Sequence, residues 1–146
     1  PNKFKKGNLN LLVSRIYNNR AADLIMRNEE LALKYFDYSL IIDPVCIESL
    51  IMRAVVFGKS LKFSRAFEDI NNSLDLCPEW GKVYFARSFV RREFGDISGC
   101  LEDLDLAIEI NPENSRLYLG RSEVYFNLGN YQKAIKDFEK ANKLGS

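Results

Sequence analysis

Pro44, Pro78 and Pro112 recur at an interval of 34 residues, each after an aliphatic run closed by one further residue: Leu40-Ile41-Ile42-Asp43, Leu74-Asp75-Leu76-Cys77 and Ile108-Glu109-Ile110-Asn111. Proline cannot continue a helix from inside, and it disfavours helix in the residue before it, so each proline marks a helix end followed by a fresh start. Between the prolines the apolar spacing is three and four, never a sustained two, which predicts helices and no strands. The chain is therefore a string of helical units.

Breaks inside the units come at Phe94-Gly95-Asp96 and Leu128-Gly129-Asn130. Glycine followed by Asp or Asn supplies a helix C-terminus and then an N-cap, so each unit is two helices joined by a tight turn. The pattern predicts eight helices, at about 11–26, 29–42, 45–59, 63–76, 79–93, 97–110, 113–127 and 131–144.

Four units can be registered on one another. The last reads Tyr118, Arg121, Ser122, Tyr125, Ala134, Phe138, with Ser146 in the proline's place; the third Tyr84, Arg87, Ser88, Arg91, Cys100, Leu104, Pro112; the second Leu50, Arg53, Ala54, Phe57, Ala66, Ile70, Pro78. The first reads Tyr17, Arg20, Ala21, Leu24, Ala32, Phe36, Pro44, one residue shorter across its turn near Arg27-Asn28, where no glycine is found. On these residues the chain resembles the tetratricopeptide repeat (TPR) family over about residues 13–146. The resemblance implies an all-α fold, a right-handed α-solenoid of antiparallel helix pairs with four units and eight helices. It divides the chain into a basic N-terminal segment with the start of the first helix (1–12) and a repeat domain (13–146), with units at about 13–46, 47–80, 81–114 and 115–146.

Two departures from the family pattern stand out. Arg91 occupies an aromatic position, where either the helix packs more loosely or the guanidinium snorkels outward, and Cys100 replaces the small alanine at a close helix crossing. A third is shared: Arg20, Arg53, Arg87 and Arg121 replace the family's leucine. Residues equidistant from the turn lie at equal height on antiparallel helices, which pairs Arg53 with Asp69, Arg87 with Asp103 and Arg121 with Asp137 as structural salt bridges within units. In the first unit the carboxylate position holds Tyr35, so Arg20 needs another partner.

Composition excludes several function classes. A net charge of +1 over 146 residues offers no field for gathering phosphates, so no nucleic-acid partner is expected. No apolar run approaches the roughly 20 residues of a membrane span. The absence of histidine removes imidazole catalysis and the commonest metal ligand, and no phosphate loop or nucleophile elbow is found. Neither enzymatic activity nor a cofactor or metal is expected. Cys46, Cys77 and Cys100 lack CxxC spacing and read as free thiols in a reducing, cytoplasmic setting.

The functional signal is a second apolar stripe on the first helices of the units. Stacked helix pairs present their first helices on a concave face, so the stripe of Ile51, Met52, Val55, Phe85, Phe89, Leu119 and Phe126 either packs against neighbouring first helices or forms the floor of a candidate peptide-binding groove. Asn19, Lys82, Arg92 and Arg116 would orient the bound chain. The partner expected from this set is a protein, peptide or helix, mainly apolar with some acidic character. Some TPR modules grip a chaperone's C-terminal carboxylates through Lys, Asn and Arg on successive first helices; here only Lys82 falls on that pattern, with Met52 and Ala86 in the other places, so that ligand is not expected. The expected function is a non-catalytic interaction module or scaffold. Alternatives are self-association through stacked end repeats into a homo-oligomer, and a scaffold part of a larger enzyme or signalling protein.

Overall fold

A computed structural model describes residues 3–145 of the chain; Pro1, Asn2 and Ser146, which the sequence sets in the proline's place of the last unit, lie outside the described residues. Among the described residues there are eight helices and no strand: α1 (Lys3–Leu24), α2 (Glu29–Ile42), α3 (Ile47–Lys59), α4 (Phe63–Leu76), α5 (Gly81–Phe94), α6 (Ile97–Ile110), α7 (Ser115–Asn127) and α8 (Tyr131–Gly145). They form two compact units, divided between Cys77 and Pro78. In the first, α1 pairs with α2 and α3 with α4, while α2 also packs on α3. The second repeats this order, with α5 on α6, α7 on α8, and α6 on α7.

Two boundaries differ from the sequence reading. Helix α1 starts at Lys3 rather than near residue 11, because nothing before Leu12 breaks a helix except Gly7, which costs a helix interior only about 1 kcal/mol. Helices α3, α5 and α7 start two residues later than expected. The proline does not open the helix; it sits second in a turn closed by Cys46 N–H to the Asp43 carbonyl (3.1 Å) and by Asn114 N–H to the Asn111 carbonyl (3.2 Å). Proline's fixed φ suits that position of a β-turn. Carbonyls of these prolines then accept from tyrosines on the following helix, Tyr84 Oη to Pro78 (2.7 Å) and Tyr118 Oη to Pro112 (3.0 Å).

The turns inside the helix pairs share one construction. Gly95 and Gly129 have φ of 95° and 75°, and Asp96 and Asn130 N–H reach back to the carbonyls of Arg91 (2.8 Å) and Tyr125 (2.9 Å). This is the left-handed cap that ends a helix and starts a reversal. Leu61 holds the equivalent place with φ 58°, and Lys62 N–H bonds the Phe57 carbonyl at 2.8 Å. The shorter turn after α1 has no left-handed residue; Arg27 and Asn28 N–H both bond the Leu24 carbonyl (2.9 and 2.8 Å), and the Asn28 side chain caps α2 by accepting from Leu31 N–H at 3.0 Å.

Each unit has its own core. Ala21, Ala32, Phe36 and Val56 meet in the first, with Leu24, Leu33, Tyr35 and Met52 packed around them. A chain of buried hydroxyls runs beside that core: Ser39 Oγ lies 2.9 Å from Ser14 Oγ and 2.7 Å from Ser49 Oγ, and Ser49 donates to Asn18 Oδ1 at 3.0 Å. In the second unit Cys100, Leu104 and Val124 form the contact between α6 and α7, flanked by Ile97 and Leu101.

Leu61 pays the steric cost of a side chain in the left-handed region without burying that side chain, which is exposed. Replacing it with glycine should raise stability by about 0.5–1 kcal/mol, the relief of strain less the added freedom of the unfolded chain. Chemical denaturation of Leu61→Gly beside the parent measures this; a loss of stability would show that the exposed leucine contributes packing instead.

Candidate functional site

Arginines at one register position organise the polar interior of both units. Arg53 on α3 donates Nε and Nη2 to Asp69 on α4 at 2.8 and 2.7 Å. Arg87 on α5 meets Asp103 on α6 with Nε at 2.9–3.0 Å and Nη2 at 2.6 Å. Arg121 on α7 holds Asp137 on α8 through Nε and Nη2, both at 2.8 Å. All three carboxylates are buried. The fork geometry gives two parallel bonds per pair, and these bonds, with the nearby carboxylates, raise the pKa of each guanidinium above its ordinary value against the opposing effect of burial.

The sequence reading missed half of this arrangement. The remaining nitrogen of Arg53 reaches back to Asp37 on α2 at 2.7 Å, and that of Arg121 to Asp105 on α6 at 2.6 Å. Each of these arginines therefore has a carboxylate sixteen residues before it and another sixteen after it, a signal present in the sequence. Sixteen residues before Arg87 stands Asn71, and Asp103 takes its second guanidinium from Arg91, 3.1 Å away. Arg91 thus does not snorkel out. It is tied inward by Asp103, by the Gly99 carbonyl (3.0 Å) and by Asp96 (3.6 Å).

In the first helix pair aromatic rings stand in for the ion pair. Tyr17, Tyr35 and Tyr38 form a triangle with centroids 5.7–6.1 Å apart. Arg20 is exposed and, contrary to the expectation of another partner, forms no ion pair among the described residues. Nothing anionic faces it on α2.

The expected binding floor divides. Ile51 is only 6% exposed and leaves the surface; Met52, packed against the Ala21–Phe36–Val56 core, and Val55 are both half-buried. Asn19 is exposed on α1. In the second unit the stripe stays open: Phe85 and Leu119 are exposed along one edge, Phe126 is 62% exposed and Phe89 half-buried. The Phe85 ring lies over Gly120, where an added Cβ would come within 3.3 Å of it, so the missing side chain is what lets α5 and α7 share that surface. Phe126 meets Tyr131 edge-on at 5.5 Å. Lys82 is exposed and stacks 5.0 Å above the Trp80 ring, and Arg116 is exposed. Arg92 is already engaged: it lies over the Phe89 ring and pairs with Glu123 at 3.1 Å. Glu123 is a rim carboxylate that the sequence reading did not include.

Among the described residues no group of three or more Cys, Asp or Glu is placed to hold a metal ion, and no helix is long and apolar enough to cross a membrane. The three cysteines are free, with Cys46 and Cys100 buried and Cys77 half-buried. Burial pushes the Cys100 thiol up to about 11.

Residues 115–145 match the family model described as tetratricopeptide repeat. No curated relative matches the sequence. Similar solved structures include a tetratricopeptide repeat protein from Parabacteroides merdae (TM-score 0.79, 23% identity, 89% of this chain and 51% of that one). A thermophilic TPR protein from Thermus thermophilus gives a TM-score of 0.78 at 23% identity over 90% of this chain and 74% of its own. PilF of Pseudomonas aeruginosa gives 0.77 at 22% identity, over 90% and 61%. The chain spans about half the length of the Parabacteroides protein.

Asp103 is fully buried between two guanidinia. Asp103→Asn strands both charges and should cost about 3 kcal/mol, whereas Asp37→Asn, at a half-exposed carboxylate, should cost less than about 1 kcal/mol. Denaturant melts of the two variants test the contrast; equal losses would remove the distinction between buried and bridging carboxylates. Cys100 adds a pH dependence. A thiol of ordinary pKa 9.0 in the unfolded chain and about 11 in the folded one gives stability that is full below 9 and declines as pH rises toward 11. Iodoacetamide at pH 8 should therefore alkylate Cys77 well before Cys100, and Cys100→Ala should flatten the alkaline decline.

Proposed function

We propose, from the premise that this chain is a tetratricopeptide-repeat protein, that it binds a peptide or helix of a protein partner across the first helices of its second unit. Repeat proteins of this fold are generally non-catalytic interaction modules, and the site rather than the fold must say what they hold. The observation that carries the reading is the open apolar edge of Phe85, Leu119 and Phe126 with two exposed cations, Lys82 and Arg116, at the starts of its helices. An apolar edge rimmed by charge is the usual form of a partner site. A bound segment would bury an apolar anchor against Phe85 and Phe126, with acidic side chains beside Lys82 and Arg116 and away from Glu123.

A second reading, self-association through the end repeats, is supported by Ile135 and Phe138, which α8 leaves exposed.

For the groove, affinity capture with the intact chain should retain a set of proteins that Leu119→Ala and Phe126→Ala both lose, each at a cost above about 1 kcal/mol of binding. The same variants should melt close to the parent, because their side chains are exposed. Lys82→Gln should weaken capture most at low salt. A captured set unchanged by all three substitutions would move the binding surface elsewhere.

A further inference from the structure

The repeat register makes the exposed face of α8 legible as half of a junction. Phe138 is 51% exposed, yet its counterparts one and three units earlier, Leu104 and Phe36, are buried. Ile135 is exposed where Leu101 and Leu33 are packed. The covering element at those earlier positions is in each case the first helix of the following repeat: Val124 of α7 closes over Cys100 and Leu104, and Val56 of α3 over Ala32 and Phe36. Both junctions carry one further mark, an arginine of the covering helix on a carboxylate of the covered one, Arg53 on Asp37 and Arg121 on Asp105. The residue of α8 at the Asp37 and Asp105 register is Glu139, which forms no ion pair among the described residues.

The other half of that junction lies on α1. Arg20 is the register equivalent of Arg53 and Arg121, exposed and without an ion pair among the described residues. Ile16, 57% exposed, stands where Ser49 and Leu117 are buried, and Leu9 and Leu12 extend the same helix face. One residue is out of keeping: Asp23 holds the place of Val56 and Val124.

Resting on the self-association reading, we infer that the occupant of the α8 face is α1 of a second copy of this chain, in the register of an internal repeat junction, with Arg20 paired to Glu139 as Arg53 is to Asp37, Ile16 beside Ala141 as Ser49 is beside Ser39, and Asp23 over Phe138 as Val56 is over Phe36. The contact is heterologous, so it grows head to tail rather than closing as a symmetric dimer. Asp23 weakens it, because a carboxylate is set against apolar side chains where an internal junction has valine. Association is therefore reversible and concentration-dependent, and a single substitution can strengthen it.

Sedimentation velocity of the 146-residue chain between about 10 µM and about 1 mM tests this, a span that covers the weak affinities expected of one helix face. The expected result is a mass that rises with concentration past that of a dimer, as a heterologous contact allows. Asp23→Val should tighten association about tenfold or more, and Phe138→Asp should abolish it while leaving the circular-dichroism melt near that of the parent. Arg20→Glu and Glu139→Arg should each weaken it several-fold, and mixing those two variants should restore it, since each then offers the charge the other lacks. Association that ignores all four substitutions leaves self-association standing and overturns this register. A monomer at every concentration in both the parent and Asp23→Val overturns self-association itself.

Discussion

An antiparallel helix pair closed by a turn of fixed length is the constraint on which the rest depends. Turn length sets which residues of the two helices lie at the same height, and in three pairs that height brings an arginine to a carboxylate sixteen residues away. The left-handed residue at 61, 95 and 129 keeps the count constant. In the first pair Tyr35 holds the carboxylate position, so the ion pair is gone and three tyrosine rings fill the space. One residue at that height, a tyrosine in the carboxylate's place, has thus altered the chemistry of a whole interhelical contact. Buried pairs of this kind define register more than they add net stability, since desolvation offsets much of the Coulombic gain.

Periodicity made the helices legible because prolines and left-handed caps act locally, through backbone geometry that neighbouring elements do not override. Ranges for α2, α4 and α6 follow directly from it. Starts of α3, α5 and α7 were displaced by two residues because proline suits the second place of a β-turn as well as a helix start, and only the hydrogen bond across the turn decides between them. The binding stripe was harder to read. Ile51, Phe85 and Leu119 occupy one register position, yet Ile51 is buried and the other two are exposed. Whether an apolar residue on a first helix is covered depends on the side chains brought over it by non-local packing, and spacing along one helix carries no information about those. Arg91 shows the same limit for charge: the family position suggested an outward path, but Asp103 has oxygens enough for two guanidinia, and a buried carboxylate draws in whatever cation can reach it.

Electrostatics in the second unit separates cations that are occupied from cations that are available. Arg87, Arg91, Arg92 and Arg121 are all paired with carboxylates. Lys82 and Arg116 sit at the starts of α5 and α7, ahead of that network, exposed and without an ion pair among the described residues, Lys82 lying over the Trp80 ring. A ligand approaching the Phe85–Leu119–Phe126 edge therefore meets positive charge at one end and the Glu123 carboxylate on α7 toward the other. For the partner proposed above, this arrangement would select orientation as well as composition, because an acidic segment would be attracted at the helix starts and repelled near Glu123.

A repeat protein must also solve its ends, since every junction it uses inside leaves a half-junction at each terminal helix. Solvating both halves would need polar residues at the Ile16, Ile135 and Phe138 positions. On α1 and α8 one such polar residue is present, Asp23 in the valine place, beside Arg20 and Glu139 at the register positions that pair as Arg53–Asp37 and Arg121–Asp105 at internal junctions. Charge left unpaired at both ends, in the register that joins neighbours elsewhere, gives the two surfaces matching chemistry. In the proposed head-to-tail contact Asp23 would hold that attraction below the strength of an internal junction, because it sets a carboxylate where Val56 and Val124 close the junctions inside the chain.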